Sequence, residues 1–152
     1  MNPKVIAGLI NRIYSDFNVY SFENRLKLQK FTYLLQHMFN LNVGYSFEWY
    51  IYGPYSIDLA RDSFNVDFSQ VPQLKFTELE SEEKFKEFID FIDIHKEESE
   101  WLEIAASIHF LKKLRNTKES TIKMIINKRD SLQTKENEIR VIYDFLEERG
   151  LL

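Results

Sequence analysis

The sequence predicts an α+β domain, mainly α, with six or seven helices, a small antiparallel sheet and winged-helix-like elements in the N-terminal half. Three observations carry this. Glycine and proline are scarce, four and three in 152 residues, which disfavours long irregular stretches. Apolar residues recur at three- and four-residue steps over most of the chain. One stretch, "YSFEWYIYG" (45–53), switches to a period of two.

The elements follow in order. Val5, Ile6, Leu9, Ile10 and Ile13 mark a first helix, with Pro3 in its first turn, where proline is tolerated. Ser21 is an N-cap for a second helix from about Phe22 to Phe39, with Leu28, Phe31, Leu35 and Met38 on one face. "NLNVG" ends it. A strand over 45–52 puts Tyr45, Phe47, Trp49 and Ile51 on the core face and Ser46, Glu48, Tyr50 and Tyr52 on the other. Gly53-Pro54 is expected to end that strand in a turn. Ser56 caps a short helix, "IDLARDSF", with Asp58 near its positive end. "VPQLKFTEL" (71–79) is expected to be the second strand, pairing with 45–52. Ser81, Ser99 and Thr134 are expected to cap later helices, "NTKESTIKMIINKRD" supplies another, and Gly150 stands just past the last. The whole, 1–152, reads as a single domain.

Composition removes several functions. There is no cysteine, so disulfides and thiolate metal sites are excluded. No run nears the roughly 18 apolar residues of a membrane span, and "MNPKVIAGLINRIY" has no signal-peptide pattern. A soluble, cytoplasmic protein with no membrane partner is expected. Net charge is −4, and the acidity sits in residues 76–103, with eleven acidic and three basic groups. A whole-protein electrostatic grip on nucleic acid is therefore disfavoured. A smaller footprint remains in Lys112, Lys113, Arg115, Lys118, Lys123, Lys128 and Arg129, and with the winged-helix-like order it supports an alternative reading as a DNA-binding regulator. The short helix at the recognition position argues against DNA, because it carries Asp58 and Asp62 around Arg61.

No catalytic or cofactor signature is present. His37, His95 and His109 have no metal-ligand spacing, and His109 reads as a satisfied, half-buried histidine. Phosphate-binding loops and a nucleophile elbow are absent. The expectation is a non-enzyme with no catalytic residue, no metal and no cofactor.

Two segments together are distinctive: "RLKLQKFTYLLQ" (25–36) and "FEWYIYGPYSIDLARD" (47–62). They resemble the YwgA-like family of bacteria and archaea, and "WLEIAASIHFLKK", "INKRD" and "FLEERGLL" extend the resemblance over nearly the whole chain. More distantly, K-L-Q-K followed by W-x-Y-G-P is similar to the Panacea (SocA-like) antitoxin domain, which commonly reads Y-G-P-V where this chain reads Y-G-P-Y-S. The family-marking positions are Lys27, Leu28, Gln29, Lys30, Trp49, Tyr52, Gly53 and Pro54. The resemblance implies a non-catalytic protein-interaction module, antitoxin-like or part of a prokaryotic defence or regulatory system, with another protein as partner. A homo-oligomer is compatible with it. Physically, Gln29 or Lys30 is expected to satisfy carbonyls freed where Gly53-Pro54 breaks the strand. Tyr50, Tyr52 and Tyr55 would then form the partner surface, since tyrosine is enriched at interfaces.

Overall fold

Helix α1 (Pro3–Ile10) starts at Asn2, whose side chain accepts from the Lys4 N–H, with proline at its first position. Helix α2 (Phe22–Tyr33) is capped by Ser21, which accepts from the Asn24 N–H at 3.0 Å, and passes into a π-helical turn over Leu34–Met38. A short hairpin follows, β1 (Glu48–Tyr50) with β2 (Gly53–Tyr55), and then α3 (Ile57–Phe64), capped by Ser56. The remainder is helical: α4 (Leu79–Asp93), α5 (Ser99–Lys113), α6 (Lys118–Ile126) and α7 (Glu136–Glu148). This computed structural model describes residues 2–152. Among the described residues the fold is mainly α with one two-stranded antiparallel sheet, the class the sequence predicts.

Helix α5 is the centre. Helices α2, α6 and α7 and strand β2 all pack on it, and Leu102 through Ile108 are buried without a break. A helix surrounded on all sides needs apolar or fully paired residues all round, which is why α5 lacks a polar stripe. Helix α2 is equally enclosed, with Lys27 through Tyr33 all buried, yet it carries Lys27, Gln29, Lys30 and Thr32 in that span. Those four polar groups each find a partner, as buried groups must.

The second strand expected over 71–79 does not form. That segment is extended chain fastened to α1 by side chains: Asn11 donates to the Val71 carbonyl at 2.7 Å and Arg12 to that of Leu74 at 3.2 Å. Its backbone also meets α1 directly, through the Leu74 N–H and the Gly8 carbonyl at 3.1 Å. A Cβ on Gly8 would stand 2.8 Å from Leu74 Cβ, so only glycine allows this approach. Glu82 finishes the fastening. It takes the Arg12 guanidinium on both oxygens and the Phe76 N–H at 3.0 Å, and Arg12 holds its carboxyl down to about 2. With those donors and acceptors engaged, 71–79 has no role in the sheet.

Two caps also move. Helix α4 begins at Leu79, so Ser81 lies inside its first turn, where its hydroxyl donates to Glu78. Helix α7 begins at Glu136 after Lys135, and Thr134 does not cap it. At the other end Gly150 takes φ 69°, the left-handed conformation expected just past a helix.

Candidate functional site

The hairpin is tighter than the sequence suggests. Glu48 pairs with Tyr55, Trp49 with Pro54 and Tyr50 with Gly53, so the turn is Ile51-Tyr52 and Gly53-Pro54 belongs to the second strand. Gly53 has φ 86°, the left-handed bulge position of a short hairpin. Proline is tolerated in β2 because the hairpin has only two strands and the outer edge needs no N–H. The period of two survives through Trp49: Phe47 and Trp49 turn inward while Glu48 and Tyr50 are exposed. It fails at Ile51, expected inside but 63% exposed, because the chain is already turning there.

An isolated two-stranded hairpin is marginal in water, so neighbours must hold this one. Gln29 does so like a third strand, donating to the Ser56 carbonyl at 2.9 Å and accepting from the Ser56 N–H at 2.8 Å. Lys30 donates to the Pro54 carbonyl at 2.6 Å. The two residues expected to satisfy freed carbonyls both do. One heptad further on, Gln36 repeats the device on the preceding loop, accepting from the Val43 and Tyr45 N–H groups and donating to the Tyr45 carbonyl.

Beneath the hairpin lies a buried ionic cluster. Glu103 on α5 is wholly buried and receives Lys128 at 2.6 Å and Arg129 at 2.6 Å. Lys128 also donates to the Ser107 hydroxyl at 3.4 Å and lies over the Trp49 ring, while the Arg129 guanidinium covers the Tyr52 ring at 4.8 Å. Trp49 itself is half-buried and stacks on Phe110. The sequence alone did not single out Glu103 or Ser107. Both sit in "WLEIAASIHF", where a glutamate and a serine flanked by apolar residues were the available signal.

Lys30 is fully buried, and its nearest charges are Lys128 and Glu103. Burial first, then Lys128, lower its pKa from 10.5 to about 7. A lysine so depressed binds fewer protons in the folded than in the unfolded chain between pH 7 and 10.5. Its contribution therefore rises with pH over that window and is lost as pH falls toward 7. Lys30→Met should remove this component. The difference in unfolding free energy between wild type and variant, measured by urea titration across pH 7–10, should change by a few kcal/mol. A difference that is flat with pH would show that Lys30 stays charged in the fold.

The tyrosine face is brought together. Tyr50 and Tyr55 rings meet at 5.2 Å, edge to face, and Tyr52 meets Phe22 of α2 at 5.1 Å in the same manner. Phe22, Tyr52, Tyr55 and Phe64 wall a pocket of about 180 Å³, with Arg25 and Gln29 as polar members of its lining. Phe22 and Phe64 are 54% and 66% exposed and were not anticipated as part of this surface. Of the family-marking positions, Tyr52 alone is exposed. Lys27 is tied to Glu23 and Glu97, and the others support the hairpin or the core.

The seven cations of the nucleic-acid footprint are not one free surface. Lys128 and Arg129 turn inward to Glu103, Lys118 pairs with Asp144 at 2.6 Å, and Lys113 faces His37. Lys112, Arg115 and Lys123 remain exposed, the last on a different helix. Among the described residues no group of three or more acidic or histidine side chains is placed to hold a metal ion, and no helix is long and apolar enough to cross a membrane.

Set against known protein families, curated proteins and solved structures, the chain finds no match. The site's geometry therefore has to carry the functional argument.

Proposed function

We propose that this chain is a non-catalytic protein-interaction module whose partner docks on the aromatic hairpin face. The observation that carries this is the pocket walled by Phe22, Tyr52, Tyr55 and Phe64, an exposed aromatic cluster on a backbone held rigid by Gln29 and Lys30. Surface aromatics that are preorganised bind at low entropic cost, and a cavity of about 180 Å³ suits one large aliphatic side chain. Arg25 stands at the same pocket and makes no ion pair among the described residues. The partner we infer is thus a protein that presents an apolar anchor beside an acidic group. The resemblance to the YwgA-like and Panacea families agrees with neutralisation of a toxin by contact, in the cytoplasm of a prokaryotic cell.

The test compares wild type with the Tyr50→Ala/Tyr55→Ala variant as bait in nuclease-treated lysate at low and high salt. A stoichiometric protein should survive high salt on wild type and bind the variant at least about tenfold more weakly when repurified, with the two baits melting within a few degrees of each other. Equal binding by both baits would remove the tyrosine face from the interface. Recovery of nucleic acid alone, lost steeply as salt rises, would favour the DNA-binding alternative.

A further inference from the structure

A second pocket, about 470 Å³, opens between the π-helical turn and α5 and shares no lining residue with the hairpin pocket. Tyr33, His37, Tyr45, Phe47, Phe110 and Lys113 form most of its wall, and no carboxylate lines it. Asp62 touches the wall from behind, where its Oδ2 accepts from the Tyr45 hydroxyl at 2.8 Å. The walls are aromatic and close-set: Tyr33 and Phe47 meet at 5.3 Å and His37 and Phe47 at 5.8 Å, both edge to face.

The hydrogen bonding around His37 leaves one donor too many. Gln36 is fixed in orientation, because its Oε1 accepts from two backbone N–H groups and its Nε2 donates to the Tyr45 carbonyl at 2.6 Å. Its amide nitrogen therefore faces His37 Nε2, at 3.1 Å, as a donor. On the other side the Lys113 ammonium, which can only donate, faces His37 Nδ1 at 3.1 Å. A neutral imidazole has one lone pair and one N–H, so in either tautomer one ring N–H points at a donor. Lys113 also makes no ion pair among the described residues. Behind it, the Tyr33 hydroxyl and His109 Nδ1 share a hydrogen bond of 2.8 Å, and burial, His37 and Lys113 lower the His109 pKa to about 4.

We propose that this pocket binds a small aromatic carboxylate. With the exposed Lys113 side chain swung off the ring, a carboxylate oxygen would accept from both the ammonium and the Nδ1–H. That leaves the Nε2 lone pair for Gln36, and both ring nitrogens then have a matching partner. The ligand ring would lie among Tyr33, Phe47 and Phe110, where edge-to-face packing is available. The π-helical turn serves this arrangement by placing Gln36 and His37 side by side, one toward the loop and one toward the pocket; such turns recur at functional sites.

Benzoate, benzamide and inorganic phosphate are titrated into the intact chain, with the His37 ring signals followed by NMR. Benzoate should saturate near about 1 mM, a reasonable affinity for a ligand of this size, and shift His37. Lys113→Gln should weaken it about tenfold, whereas Lys112→Gln, on the same exposed helix end, should leave it unchanged. Benzamide or phosphate binding as tightly as benzoate, an equal loss in both lysine variants, or no shift of His37 by about 10 mM would each overturn the assignment.

Discussion

Glu103→Ala should destabilise the fold by about 3–5 kcal/mol. Glu103 is 0% exposed and is the counter-charge for Lys128, whose side chain is 3% exposed, and for Arg129. Removing it leaves two cations facing each other beside Lys30 in a low-dielectric interior, with no water to replace the carboxylate. The damage should spread to the hairpin, because Lys128 lies over Trp49 and Arg129 over Tyr52. Urea denaturation followed by far-UV circular dichroism measures the loss. The companion variant Glu103→Leu/Lys128→Met/Arg129→Leu separates a missing counter-charge from a missing side chain. It should recover much of the stability, since a whole buried ionic cluster can often be replaced by apolar groups. A Glu103→Ala variant within 1 kcal/mol of wild type would mean that water already reaches the cluster.

Gly53→Ala should cost about 3 kcal/mol or more. Two independent terms add. The residue sits at φ 86°, where an L side chain brings strain of about 1–2 kcal/mol. A Cβ built there would also fall inside contact distance of the Ser107 hydroxyl and 3.6 Å from both the Glu103 carbonyl and Lys30 Nζ. Ser107 is fully buried on the central helix and has little room to retreat. The Gly53→Ala/Ser107→Gly double variant should therefore regain the steric part and keep the backbone part, a coupling that a double-mutant cycle reads directly. If the two changes prove additive, the approach of β2 to α5 is looser than described.

The tyrosine-face variant, the pH dependence at Lys30 and the benzoate titration report on different layers of the same molecule. The buried cluster sets stability, the hairpin it supports presents the proposed partner surface, and the His37 pocket stands apart from both.

Much of the fold was legible because local rules decided it. Ser21 and Ser56 cap helices in the structure through their own side chains, a contact made within three residues. The alternation of Phe47, Glu48, Trp49 and Tyr50 likewise follows from strand geometry alone. The second strand was misplaced because extended chain at 71–79 has strand-like composition, and what claims its backbone is Asn11, Arg12 and Gly8, some sixty residues away. Phe22 and Phe64 were missed for a related reason: each belongs to a helix whose other residues are explained by packing, and they become one pocket only when α2 and α3 are brought to the hairpin.

The stretch "EWYIYGPYS" shows where the boundary lies. By itself the sequence determined that Trp49 turns inward between the outward-facing Glu48 and Tyr50, and that Gly53 is a position requiring conformational freedom. Each is a property of neighbouring residues along the chain. Only the tertiary structure decided that Gly53-Pro54 is strand rather than turn, that Gln29 and Lys30 both bond there where either one was expected, and that Glu103 anchors the cations above it. Those outcomes depend on which donors and acceptors meet inside a water-free core, and that is fixed by packing between segments that the sequence keeps far apart.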